Sequence, residues 1–235
     1  LQLDPNTMPD LSREPGVVMR ADALVLSDRG TTGLAAAVLA LPRSALGQRP
    51  NILFCISDDQ SWAYTGANGD PIVKTPAFDR IAAEGLRFVH SFCNAPTCGP
   101  SRSAILTGQP IWRLEEAGNI HSTLPAKFAT YTEELQKVGY IVASTGKGWG
   151  PGRLEPGDRT QQPAGTPRHG RTLKPPFSGI QNIDYAGNFD DFVNELRGDQ
   201  PFCFWLGLQE PHRPYKNGSG VRLGKRLADV VVPAY

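Results

Sequence analysis

Cysteine is scarce in this chain. Four in 235 residues are too few for a disulfide scaffold, and their positions (55, 93, 98 and 203) fit no paired CxxC zinc pattern. An excess of either charge is also missing. Lys and Arg number 24 against 23 Asp and Glu, a formal +1 that supplies no general pull toward nucleic acid or acidic lipid. No apolar run is long enough to span a bilayer, so no stable membrane insertion is expected. Internal repeats are absent. What the chain does have is Gly (25) and Pro (21), which imply many turns and irregular loops and argue against a helical bundle. Hydrophobic residues at 40% and charged residues at 20% suffice for a sizeable core. The length suits one α/β domain or part of a larger one.

The two ends read differently from the middle. Residues 1–33 show no apolar periodicity and are left unassigned, as a disordered leader. Residues 34–47 combine an apolar run, Gly33 to Leu41, with small residues at Ala45 and Gly47 before Gln48, as a signal-peptidase site would. The segment is signal-peptide-like and points to a periplasmic or secreted protein; a buried helix opening the domain is the alternative. At the other end Val230 to Tyr235 closes no element, and truncation at the C-terminus is expected.

Between them, apolar runs alternate with helical patterns. Asn51 to Ser57 reads as a central strand buried on both faces. Thr75-Pro76 opens a helix that Gly85 ends. Leu86 to Cys93 suits a second strand, and residues 100–108 a short helix opened by Pro100. A helix from Thr132 to Val138, a strand from Tyr140 to Ser144, a long Pro/Gly/Arg-rich loop over 151–180, a helix from Asp190 to Leu196 and a strand from Phe202 to Leu208 complete the pattern. The fold class is α/β: a layered sandwich with a central, mostly parallel sheet flanked by helices.

Ligands of such sheets sit beyond the carboxyl ends of the strands. Asp58-Asp59, Thr145-Gly146-Lys147 and Glu210-Pro211-His212-Arg213 each follow a strand, and Cys98 to Arg102 follows one by a short loop, so together they make one site. Paired carboxylates at a strand end suit a hard cation, Ca²⁺ or Mg²⁺, although taken alone such a pair is more often a turn or helix cap. A Cys just ahead of a helix sits where backbone N–H groups attract an anion, and Arg102 can reach back to it. The alternative is a buried structural cysteine. Cys55 and Cys203 lie in apolar strands and read as core.

Cys98-Gly99-Pro100-Ser101-Arg102, continued by Leu106-Thr107-Gly108, resembles the sulfatase signature C-x-P-S-R-x-x-x-L-T-G. Arg49 to Phe54 running into Asp58-Asp59, the Thr75 to Gly85 helix, Gly146-Lys147 and Phe204 to His212 resemble the same family in the same order. Residues 48–235 would then be the N-terminal part of an alkaline-phosphatase-like catalytic domain, closest to the branch of heparan N-sulfatases that cleave sulfamates on glucosamine.

The resemblance implies that a formylglycine-generating enzyme converts Cys98 to Cα-formylglycine, and that Asp58, Asp59 and modified Cys98 bind Ca²⁺ in preference to Mg²⁺. It also implies that Arg102 holds the modified residue, that Lys147 bridges it to the sulfate, and that His212 sits at the leaving oxygen. The substrate implied is a sulfated carbohydrate or a small sulfate ester. Trp149 stands where many family members have His, with His121 and His169 as replacements or as plain surface residues. A phosphonate or phosphate-ester hydrolase of the same superfamily, or an inactive module that binds sulfated glycan, are the alternatives.

Overall fold

A computed structural model describes residues 49–155 and 158–230. The leader and signal-like readings at 1–33 and 34–47 lie outside the described residues. The chain divides into Leu1–Asn51 and Ile52–Tyr235, and all elements named below belong to the second unit.

Four strands form one parallel sheet: β1 (Ile52–Ile56), β2 (Ile141–Gly146), β3 (Thr166–Pro167) and β4 (Phe202–Gly207), in the spatial order β1-β4-β2-β3. The helices are α1 (Pro76–Glu84), α2 (Cys98–Thr107), α3 (Tyr131–Lys137), α4 (Tyr185–Glu195) and α5 (Ser219–Arg222). The layered α/β expectation therefore holds.

β4 is the central strand, and its side chains alternate between two cores. Phe202 and Phe204 pack with Ala143 and Phe192 on the α4 side, where Phe192 and Phe204 lie 4.9 Å apart, centroid to centroid. Cys203 packs with Tyr140 and Val142 on the opposite face, and Trp205 with Leu106, Leu114, Leu124 and Trp149. Each fully buried side chain of this size contributes about 1.5–3 kcal/mol.

Three expectations need correction. β1 is an edge strand among the described residues: Leu53 and Cys55 are exposed, while Ile52, Phe54 and Ile56 are half-buried. Cys55 is thus not core, whereas Cys203 is. Leu86 to Cys93 forms no strand; Leu86, Phe88, Val89 and Phe92 are exposed, and among the described residues no neighbouring strand offers a ladder. The 151–180 loop contains the two-residue edge strand β3, which pairs Ala143 with Thr166 and Ser144 with Pro167.

Boundaries moved for local reasons. α4 begins at Tyr185 because the Asp184 side chain accepts a hydrogen bond from the Gly187 N–H, while buried Asn188 is held by Arg171 N–H at 2.9 Å. α3 opens on a capping box in which Thr130 and Glu133 satisfy each other's backbone N–H groups.

Candidate active site

β1, β2 and β4 run parallel, so their carboxyl ends meet at one edge of the sheet, and the chain there is stitched together by backbone hydrogen bonds. Lys147 N–H donates to Gly207 O (2.8 Å), Leu208 N–H to Ile56 O (2.8 Å), and Asp58 N–H to Glu210 O (3.1 Å). Two facing glycines make this crossing possible. Gly146 has φ +71°, and a Cβ there would lie 2.1 Å from Gly207 O; a Cβ on Gly207 would lie 1.9 Å from Lys147 O.

Asp58, at 4% exposure, is the centre of the site. Arg102, only 2% exposed, places Nη2 at 3.4 Å from Asp58 Oδ1 and donates through Nη1 to Lys147 O at 2.8 Å and Gly148 O at 3.1 Å. Lys147 Nζ donates to Asp58 Oδ2. The guanidinium carbon lies 5.8 Å from the Trp205 ring centroid, and Trp205 Nε1 also donates to Lys147 O at 3.0 Å. Burial pushes the Arg102 guanidinium below its ordinary pKa, opposed by Asp58 and then by the Cys98 thiol. Two cations thus share one buried carboxylate, and the surplus positive charge is available to an oxyanion.

Cys98 is the first residue of α2 and is half-buried, one helical turn before Arg102. The helix begins at Cys98, after Thr97 as N-cap, not at Pro100. Proline is tolerated in a first helical turn because its missing N–H would have had no intrahelical partner, so Pro100 did not mark the start.

Asp59 diverges from Asp58. Its φ of +57° turns the chain, and its Oδ2 lies 3.4 Å from His212 Nε2. His212 Nδ1 is 2.7 Å from Arg213 O. A carbonyl only accepts, so Nδ1 carries the hydrogen in this contact, and Nε2 faces the Asp59 carboxylate. The structure therefore gathers buried Asp58 and Arg102 with half-buried Lys147 in one cluster, and Asp59 and His212 in a second, more exposed pair.

Among the described residues, no three His, Cys, Asp or Glu side chains converge as a metal cluster, so Asp58, Asp59 and Cys98 are not brought together as three ligands. The donors suit a hard cation in kind, since carboxylate oxygens are its usual ligands, and Asp58 already faces cationic groups at both its oxygens, Arg102 at Oδ1 and Lys147 at Oδ2.

One group at this edge, Tyr185, carries no signal in the sequence. Glu210 accepts from Gln181 N–H and from the Tyr185 hydroxyl, both at 2.9 Å, and Tyr185 in turn accepts from Gln209 N–H at 3.0 Å. Burial, opposed by the Gln209 contact and reinforced by Glu210, pushes the Tyr185 hydroxyl up to about 12, so it remains a donor. Glu210 lies in a strand-end cluster and was visible as such; Tyr185, at a helix start, gave no signal. Trp149 is buried, and its Nε1 donates to Ser103 Oγ at 2.8 Å, so it belongs to the core behind α2. His121 and His169 are exposed and are not part of either cluster.

The Sulfatase family model matches residues 50–219. Arylsulfatase G of Canis lupus familiaris is 39% identical over 105 residues, covering 43% of this chain and 20% of that protein. N-acetylglucosamine-6-O-sulfatase of Bacteroides thetaiotaomicron is 31% identical over 189 residues, 77% of this chain and 34% of that protein. A protein solved in complex with its substrate, D-glucosamine-2-N,6-O-disulfate, superposes with a TM-score of 0.53 at 25% identity, covering 70% of this chain and 35% of that one. The chain thus matches between a fifth and about a third of the length of these curated relatives.

Proposed function

The chain belongs to the sulfatase family, and on that footing we propose that the protein hydrolyses a sulfuric ester or sulfamate on a sulfated carbohydrate. The observation that carries the reading is the buried Asp58 carboxylate held by both Arg102 and Lys147 at the sheet edge where α2 presents Cys98. The names of similar proteins favour a sulfated glucosamine as the substrate class. Export to the periplasm or the exterior is part of the proposal and rests on residues 34–47; among the described residues no helix is long and apolar enough to cross a membrane.

Asp58 and Asp59 are the residues that would hold a divalent cation, Ca²⁺ by preference, with the rest of its oxygen shell drawn from other groups. Cys98, converted by a formylglycine-generating enzyme, would supply a hydrated aldehyde as nucleophile, and the cation would polarise the sulfate. The chain's own residues have the remaining roles. Arg102 fixes the backbone at Lys147 and Gly148 and lends positive charge beneath Cys98. Lys147, with its ammonium tethered to Asp58, is placed to meet a sulfate oxygen. His212, oriented through Nδ1, can give a proton from Nε2 to the leaving group.

The test is turnover of a small aryl sulfate by protein from its native source. Cys98→Ala is expected to abolish it, and Lys147→Ala to lower the rate roughly 100- to 1000-fold. Wild-type turnover in Cys98→Ala would remove the mechanism.

A further inference from the structure

Immediately after His212 the charge balance of the chain changes abruptly. Residues 213–226 contain five basic side chains (Arg213, Lys216, Arg222, Lys225 and Arg226) and no Asp or Glu, in a protein whose total is +1 and whose remainder therefore carries −4. All five are exposed. Arg226 is paired with Asp229, at 2.5 Å. Among the described residues, Arg213, Lys216, Arg222 and Lys225 form no ion pair with a carboxylate. Arg222 Nη2 donates to Asn217 O at 3.1 Å and Lys225 Nζ to Ile72 O at 3.0 Å, but a carbonyl cancels no charge.

The segment is also held in shape. Its start is pressed against Gly179, where a Cβ would come within 2.9 Å of Pro214 O. Lys225 fastens its far end to the loop at Ile72, and between them α5 and the Lys225 N–H to Gly220 O bond (2.9 Å) close a compact turn. Tyr215, 71% exposed, presents an aromatic face among the cations. Concentrated like charge with no internal counterion attracts an anionic partner over about a Debye length.

We propose that residues 213–226 form a polyanion-binding track beside the catalytic edge, which engages the sulfate and carboxylate groups flanking the one being cleaved. The preferred ligand is then a sulfated oligosaccharide of several units, not an isolated monosaccharide. This rests on the sulfatase reading, because adjacency to His212 is what favours a glycan over a nucleic acid.

The experiment measures equilibrium binding of a fluorescent heparin-derived octasaccharide and of a disaccharide from the same source to the full chain, across a salt series. A Lys216→Glu/Arg222→Glu/Lys225→Glu variant is compared with wild type, and circular dichroism with a thermal melt checks that it folds. A single Lys216→Ala variant serves if it does not. The triple variant is expected to lose about tenfold or more in octasaccharide affinity and most of its salt dependence, with disaccharide affinity nearly unchanged. Equal losses on both ligands, no loss on either, or tighter binding of single-stranded DNA of matched charge would overturn the proposal. Octasaccharide binding that depends on these cations in protein without any sulfatase turnover would support the track while removing the hydrolase reading, so the two failures are told apart.

Discussion

At Asp58 one buried carboxylate faces two cations, and each partner serves a different purpose. Arg102 is almost wholly enclosed, so its charge is tolerated only because Asp58 and the carbonyls of Lys147 and Gly148 satisfy it. Arg102→Met leaves those acceptors and part of the carboxylate charge unpaired in the interior. The expected loss is about 3–5 kcal/mol of stability, read by urea unfolding; a loss near zero would mean that the pair is not enclosed. Cys203 makes the opposite case, a thiol with no charged role. Burial, only partly opposed by Tyr131, pushes it up to about 11 from an ordinary 9.0. Its neutral form therefore stabilises the fold below about pH 9, and that contribution is lost as the pH rises toward 11. In alkylation at pH 8, exposed Cys55 and Cys93 should react while Cys203 stays protected; equal labelling of Cys203 would contradict its placement. The residues with chemistry were legible in the sequence, since Asp58, Lys147 and His212 each follow an apolar run. Their pairing was not: that Lys147 and Arg102 share Asp58, and that Asp59 turns away to His212, depends on a left-handed Asp59 and on strand order.

Strand ends hold these side chains in register, and the critical contact is backbone on backbone. Gly207 faces Lys147 O so closely that a methyl group cannot enter without moving β2 away from β4. Gly207→Ala is expected to displace Lys147 from Asp58, costing several-fold or more in catalytic rate and about 1–3 kcal/mol in stability. Turnover kinetics and a thermal melt of the variant check this, and wild-type values in both would show that the edge can relax. The long apolar runs of β2 and β4 are legible as buried strands because such a strand needs little besides its own side chains, and β1 is legible as a strand but not as an edge. Elements whose form depends on neighbours were read less well. Among the described residues, Leu86 to Cys93 has strand-forming residues but no pairing partner, α4 extends through Gly187 and Asn188 because Asp184 and Arg171 support them, and β1 lies at an edge that its composition does not reveal.

For the molecule as a whole, a balanced total charge conceals its arrangement: buried Arg102 and half-buried Lys147 meet at the sheet edge, and a basic stretch follows His212. A cation bound by the folded state alone raises stability in proportion to the logarithm of its concentration. Saturating Ca²⁺ is therefore expected to raise the melting temperature by roughly 5–10 °C over protein in EDTA, and Asp59→Asn should abolish most of the gain. Identical melting with and without Ca²⁺ would mean that Asp58 and Asp59 hold no metal. The most direct measurement is peptide mass mapping of protein from its native source. Trypsin cuts after Arg87 and Arg102, which places Cys93 and Cys98 in one fragment. Fragmentation is predicted to show the thiol of Cys98 replaced by an aldehyde and that of Cys93 intact. An unmodified thiol at Cys98 in that material would contradict a formylglycine-dependent sulfatase.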